Sequence, residues 1–250
     1  MSGKSARVAV VTGGASGIGA AISRTLAGEG HAVAIFDLNG ELAEKTAAEV
    51  QNSETKAVGL TVDVTDRTRV DAALEEVRSQ LGTPTILVNS AGLSHHGPFL
   101  ELNLETWNRI LAINLTGTFN ACQAMIPGMV AEKWGRIVNI SSSSVHSGAP
   151  RLASYVSAKS AVVGLTKALA LEFARDGITV NTVPPGFIDT PMSRRTAAGG
   201  HIDIQTQIDR TPVGRQGQPE DIAHVTAFLV SEEASYITGQ IIGVNGGRNT

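Results

Sequence analysis

The chain has 250 residues, 20 Lys+Arg against 23 Asp+Glu, a formal net charge of −3 and 42% hydrophobic residues. That balance excludes a nucleic-acid binder held by a basic surface, and it excludes a disordered chain. The length suffices to bury a large core without staples. A single cysteine, Cys122, excludes an intramolecular disulfide and any cysteine-rich zinc module. It fits a reducing compartment, so a cytoplasmic location is expected.

Met1 to Arg7 leads straight into Val8–Val11, an apolar run too short for a signal peptide and followed by no small-residue cleavage site. Short β-branched runs then recur at 8–11, 32–36, 57–62, 85–88, 136–140, 178–183 and 240–244. The early runs lack polar alternation, the pattern of strands covered on both faces. Between them lie segments of helical period, such as 65–80, where Val70, Leu74 and Val77 share a face. The uncharged stretch 110–131 carries Asn114, Thr116, Asn120, Gln123 and Pro127, so it reads as a buried or interface helix, not a membrane span. This alternation predicts an α/β fold: one domain over 1–250, a doubly wound parallel sheet of seven strands with helices on both faces. Ligands of such sheets bind at the carboxyl ends of the strands.

The first strand runs into Thr12-Gly13-Gly14-Ala15-Ser16-Gly17-Ile18-Gly19 and then a helical segment. A glycine turn there lets the backbone approach a pyrophosphate and aims helix N–H groups at it. A nucleoside-triphosphate loop would need Gly-Lys-Ser/Thr, and a hydrolase elbow needs glycine two residues after its serine; neither is present. Asp37, eighteen positions beyond Gly19, ends the second strand. It either accepts hydrogen bonds from an adenosine ribose or shapes the turn to Gly40. No basic residue stands at Ala15, Ser16 or Leu38, so NAD is expected over NADP.

Of two tyrosines, Tyr155 precedes Lys159 by one helical turn within a segment, 154–174, of helical pattern. An ammonium nearby lowers a phenol's pKa toward usefulness as a base; the alternative is an ordinary Tyr–Lys pair on a solvated face. Ser141 to Ser144 follow the fifth strand, at the same sheet edge as the glycine turn. One of them can hydrogen-bond a substrate oxygen beside the tyrosine, the others serving as a polar turn.

The motifs Thr12-Gly13…Gly17…Gly19, Asn89-Ser90-Ala91-Gly92, Ile137 to Ser142, Tyr155…Lys159 and Pro185-Gly186 occur in the order of the short-chain dehydrogenase/reductase family, which the chain resembles over nearly its whole length. The resemblance implies a catalytic set of Asn114, Ser142, Tyr155 and Lys159. The tyrosine is then acid/base, the serine orients the substrate oxygen, the lysine lowers the tyrosine pKa and binds the nicotinamide ribose, and the asparagine holds a water in a proton relay. It further implies cofactor contacts by Gly13, Ser16, Gly17, Ile18, Gly19, Asp37, Ala91, Gly92, Tyr155, Lys159, Pro185 and Gly186. Asp63 and Val64 fall at adenine, Asn89 at the adenosine side, and Ile188 and Thr190 at the carboxamide. Ser90, Pro184 and Asn245 depart from the usual family pattern.

A mixed substrate lining is expected from Leu93, His95, Ser144, His146, Phe187 and Met192, with 187–212 as a flap. His95, His96 and His146 lie near the mouth, and no histidines are spaced as a metal pair. The expected activity is NAD-dependent interconversion of a secondary alcohol and a ketone. The rival is an NADPH-dependent 3-oxoacyl-carrier reductase, with Arg151, Arg194 and Arg195 to meet an acidic carrier; a non-catalytic dinucleotide-binding regulator is a further alternative. The resemblance also implies a homotetramer packed through the helices at 103–130 and 154–173.

Overall fold

In the computed structural model, which describes residues 6–53 and 55–249, six of the seven β-branched runs form strands. Positions 1–5, the approach to the first strand, lie outside the described residues. The strands are β1 (Val8–Thr12), β2 (Ala32–Asp37), β3 (Ala57–Thr61), β4 (Pro84–Asn89), β5 (Gly135–Ile140) and β6 (Ile178–Val183). All pair in parallel, in the order β3-β2-β1-β4-β5-β6. The sheet is thus doubly wound, with its order reversing between β1 and β4.

The seventh strand is not formed, and the double proline explains why. Segment 240–244 does run beside β6 in parallel register, with bridges at Thr182–Ile241 and Pro185–Val244. Thr182 N–H donates to Gln240, Ile242 N–H to Thr182 and Val244 N–H to Pro184. The next rung would need an N–H on Pro184, which proline lacks, so the ladder breaks there.

The helices are α1 (Gly17–Gly28), α2 (Gly40–Val50), α3 (Arg67–Leu81), α4 (Leu104–Leu111), α5 (Gly117–Glu132), α6 (Ser144–Ser147), α7 (Ala153–Phe173), α8 (Pro191–Ala198), α9 (Ile204–Asp209) and α10 (Pro219–Val230). Their starts follow local chemistry: Asn39 caps α2, Asp66 caps α3 through Thr68 and Arg69, and Thr190 with Ser193 forms a capping box before Pro191 in α8.

Strand side chains divide by parity. Ala9, Val11, Val33, Ile35, Val88 and Val138 pack with Ile22 and Leu26 of α1 and Ile222 of α10. Val8, Val10, Phe36, Leu87, Ile137 and Val180 pack with Leu74 of α3 and Met125 of α5. Both faces are therefore apolar, which is why these strands read as unbroken hydrophobic runs. No described helix is long and apolar enough to cross a membrane.

The helix expected over 103–130 is interrupted. A π turn at Ala112–Thr116 separates α4 from α5, and it carries Asn114. Such wide turns concentrate at functional sites.

Candidate active site

One cavity of about 700 Å³ opens along the carboxyl edge of the sheet, where β1 and β4 diverge. Its floor is the glycine turn. Gly13 has φ +62° and a Cβ there would stand 2.8 Å from the Ala91 Cα; a Cβ on Gly19 would lie 2.1 Å from the Gly13 carbonyl. Only glycine fits this fold of the turn. Ser16 precedes α1 without capping it, and no acidic residue occupies the helix's first turn. The positive end of α1 is therefore open to an anion from the cavity. Ser16, Gly17, Ile18 and Gly19 all line it.

Asp37 lines the cavity at the end of β2. Its carboxylate accepts from Ala15 N–H at 3.2 Å and Asn39 N–H at 3.0 Å, so it braces the glycine turn as well as the turn to Gly40. Of the two readings offered by the sequence, these bonds show the turn-shaping one. Asp63, Val64, Ala91, Gly92, Pro185, Gly186, Ile188 and Thr190 also line the cavity. Thr190 spends its hydroxyl oxygen on Ser193 N–H in the α8 cap. These residues fit a dinucleotide: a glycine cradle, an uncapped helix end and a carboxylate at the adjoining strand end stand in one cavity.

Asn89 does not line this cavity. Its amide donates to Asn139 Oδ1 at 2.8 Å beneath the site, and Asn139 donates in turn to Thr166 on α7. β4 and β5 place Asn89 and Asn139 side by side, on the same face. The side chain therefore ties the sheet to α7 instead of reaching the adenosine side.

The expected catalytic residues are carried by the end of β5 and by α7. Ser142 and Tyr155 line the cavity together, and the Ser142 hydroxyl stands near enough to the phenol to draw its pKa down. Ser144, expected at the substrate, stands behind Ser142 instead, 2.9 Å from its hydroxyl oxygen. Ser141 and Ser143 contribute backbone N–H bonds to Val183 and Pro185, which pin the loop against the end of β6. Lys159 is buried and its ammonium donates to Ile140 O at 2.8 Å. It stands 5.9 Å from the Tyr155 ring centroid. Burial without a carboxylate lowers the Lys159 ammonium to about 8.

Burial pushes the Tyr155 phenol up, and the Ser142 hydroxyl pulls against that. The Lys159 ammonium, 5.9 Å from the ring centroid, is directed to the Ile140 carbonyl.

Asn114 is fully buried beside Lys159. A Cβ on Gly92 would lie 3.0 Å from Asn114 Oδ1 and 3.4 Å from Lys159 Nζ. Its amide donates to Leu93 O and Ile110 O, and its oxygen accepts from Leu93 N–H. These bonds fix the loop after β4 to the π turn.

Phe187 and Met192, expected at the substrate, line the cavity; His95 and His146 do not, while His96 does. Arg109, Leu152, Arg195 and Ile202 also line it, and of the two arginines the sequence pointed only to Arg195. Leu152 had a signal, one turn before Tyr155 on the same helix start.

Such a fold and site belong to the oxidoreductases that bind a nicotinamide dinucleotide over a doubly wound sheet. A family model described as Enoyl-(Acyl carrier protein) reductase matches residues 13–249. The chain is 41% identical to a 3-oxoacyl-[acyl-carrier-protein] reductase FabG of Aquifex aeolicus, over 96% of each chain. It is 37% identical to the FabG of Thermotoga maritima, over 96% of this chain and 97% of that one. It is also 37% identical to 2-(S)-hydroxypropyl-CoM dehydrogenase 3 of Xanthobacter autotrophicus, over 96% and 95%. The chain belongs to the short-chain dehydrogenase/reductase family and is an enzyme acting on CH–OH groups.

Proposed function

We propose that the protein interconverts a 3-oxoacyl thioester and its 3-hydroxyacyl form with NAD(H). The observation that carries the reaction is the meeting of Ser142, Tyr155 and Lys159 at the β5 edge of the cavity that the glycine turn also lines. Relatives named for 3-oxoacyl reduction support the substrate class over a simple ketone. Asp37 supports NAD. The shallow groove beside it is lined by Asp37, Glu41 and Glu44 without a lysine or arginine, a poor setting for a 2′-phosphate.

In this reading the bound cofactor supplies or accepts the hydride. Tyr155 gives its proton to the substrate oxygen during reduction and takes it back during oxidation. Ser142 holds that oxygen, and Ser144 fixes the Ser142 hydroxyl. Lys159 keeps a cation beneath the site and, through Ile140, fixes the end of β5. Asn114 positions the loop that flanks it. Glycines 13, 17 and 19 with Ser16 and Ile18 take the pyrophosphate, Asp63 and Val64 the adenine, and Ile188 and Thr190 the carboxamide. The chain works as one dinucleotide-binding domain with 187–212 as its flap. It assembles as a homotetramer, for which exposed Phe119 on α5 and Leu171 on α7 supply apolar contact.

Initial rates with a 3-oxobutanoyl thioester, followed at the nicotinamide absorbance with NADH and NADPH in turn, test this reading. NADH is expected to give at least a tenfold higher kcat/KM. A preference for NADPH would overturn the Asp37 argument, and turnover of plain ketones but not of the thioester would return the activity to general alcohol–ketone interconversion.

A further inference from the structure

The cavity is unevenly charged. Its two carboxylates, Asp37 and Asp63, stand at the ends of β2 and β3 and serve their own loops: Asp37 holds Ala15 and Asn39, and Asp63 Oδ1 accepts from Thr65 N–H at 2.9 Å and its hydroxyl at 2.7 Å. The flap carries cations. Arg194 and Arg195 are neighbours on α8 with different fates. Arg194 is neutralised by Asp189 through two bonds of 2.7 and 2.8 Å. Arg195 lines the cavity and makes no ion pair among the described residues.

His96, on the loop after β4, lines the same wall and stacks on His201 just beyond α8, with centroids 5.3 Å apart and planes 7° from parallel. The flap and the loop thus meet through two rings. Gly97 N–H donates to Arg151 O at 3.0 Å, which brings a further arginine to this loop. Burial and the charges of His201, His95 and Arg151 push the His96 imidazolium down, and no carboxylate acts on it. A guanidinium without a counter-ion on a cavity wall can take an anion without breaking a protein ion pair.

We infer that the substrate carries an anionic group, a carboxylate, sulfonate or phosphate, and that Arg195 is the specificity-determining residue that binds it, with the His96–His201 stack closing the wall. The inference rests on the substrate reading above but makes a separate demand on the ligand.

The test compares three probes with NADH: free 3-oxobutanoate, with its charge beside the carbonyl; its coenzyme A thioester, with charge far off; and its neutral N-acetylcysteamine thioester. One anionic probe is expected to exceed the neutral one in kcat/KM by about ten- to a hundredfold, the range for a charged hydrogen bond. Which of the two it is locates the anion. Arg195→Gln should bring that ratio to within about threefold of unity, and Arg195→Lys should keep most of it. Equal use of all three probes overturns the proposal, as does a ratio that survives Arg195→Gln. A ratio lost in Arg109→Gln but not in Arg195→Gln also overturns it. The same ratio, read as binding to the NADH-loaded Tyr155→Phe protein by nicotinamide fluorescence, separates the two readings. No turnover of any probe overturns the oxoacyl reading alone; no anion preference in binding overturns the Arg195 site alone.

Discussion

The Lys159 ammonium donates to the Ile140 carbonyl at 2.8 Å, joining the middle of α7 to the last residue of β5. The lysine is buried with no carboxylate beside it, and its charge is held at a cost. Its ordinary value of 10.5 falls to about 8 in the fold.

Between those two values the unfolded chain binds more protons than the folded one, so this residue makes stability rise with pH across that window. Below pH 8 its full cost is present; above 10.5 it is gone. Lys159→Met removes the cost, so the stability difference between wild type and variant is expected to shift by about 2 kcal/mol in favour of wild type from pH 7 to pH 10. Urea melts of both proteins at the two pH values measure it. A difference that stays constant would show that the ammonium carries no such penalty.

In the proposed reaction Tyr155→Phe removes the proton carrier and leaves the glycine turn intact. Turnover is expected to fall by about 10³-fold, while NADH binding, followed by fluorescence, changes little. Ser142→Ala should cost on the order of 10²-fold. It should also move the inflection of the alcohol-oxidation pH profile upward. The sign follows from the site: burial raises the phenol, and the Ser142 hydroxyl is what pulls it down. A downward movement would contradict that arrangement.

Asp37→Asn keeps an oxygen acceptor for the turn but removes the charge. The NADH-to-NADPH ratio of kcat/KM should fall by about tenfold, from loss of charged hydrogen bonds and of repulsion toward a 2′-phosphate. Steady-state kinetics with both cofactors reads this directly. An unchanged ratio would confine Asp37 to bracing Ala15 and Asn39.

Asn139→Ala strips the acceptor from buried Asn89 and the donor from Thr166. Asn89 keeps its bond to Cys122 Sγ and Thr166 its bond to Val162 O, so losing these two buried hydrogen bonds should cost about 2–3 kcal/mol, or roughly 5–10 °C in Tm for a chain of this length. Calorimetry checks it. A variant as stable as wild type would mean the network is replaced by solvent.

Much of this enzyme was legible in its residues. Unbroken β-branched runs mark strands buried on both faces, and the spacing of Gly13, Gly17 and Gly19 after the first of them marks the cradle, because both depend on short-range backbone chemistry. The pairing of Tyr155 with Lys159 follows from helical period alone. Other features needed the fold. Strand register turned Asn89 inward to Asn139, and the missing N–H of Pro184 ended the sheet at six strands. The hydroxyl of Ser144 went to Ser142, and Lys159 went to Ile140 rather than to its neighbouring phenol. Most distant from the sequence is the meeting of His96 with His201, more than a hundred residues apart along the chain. Periodicity determines what each segment becomes. Which side chains share a cavity is decided by how loops close and strands align, and that information is long-range.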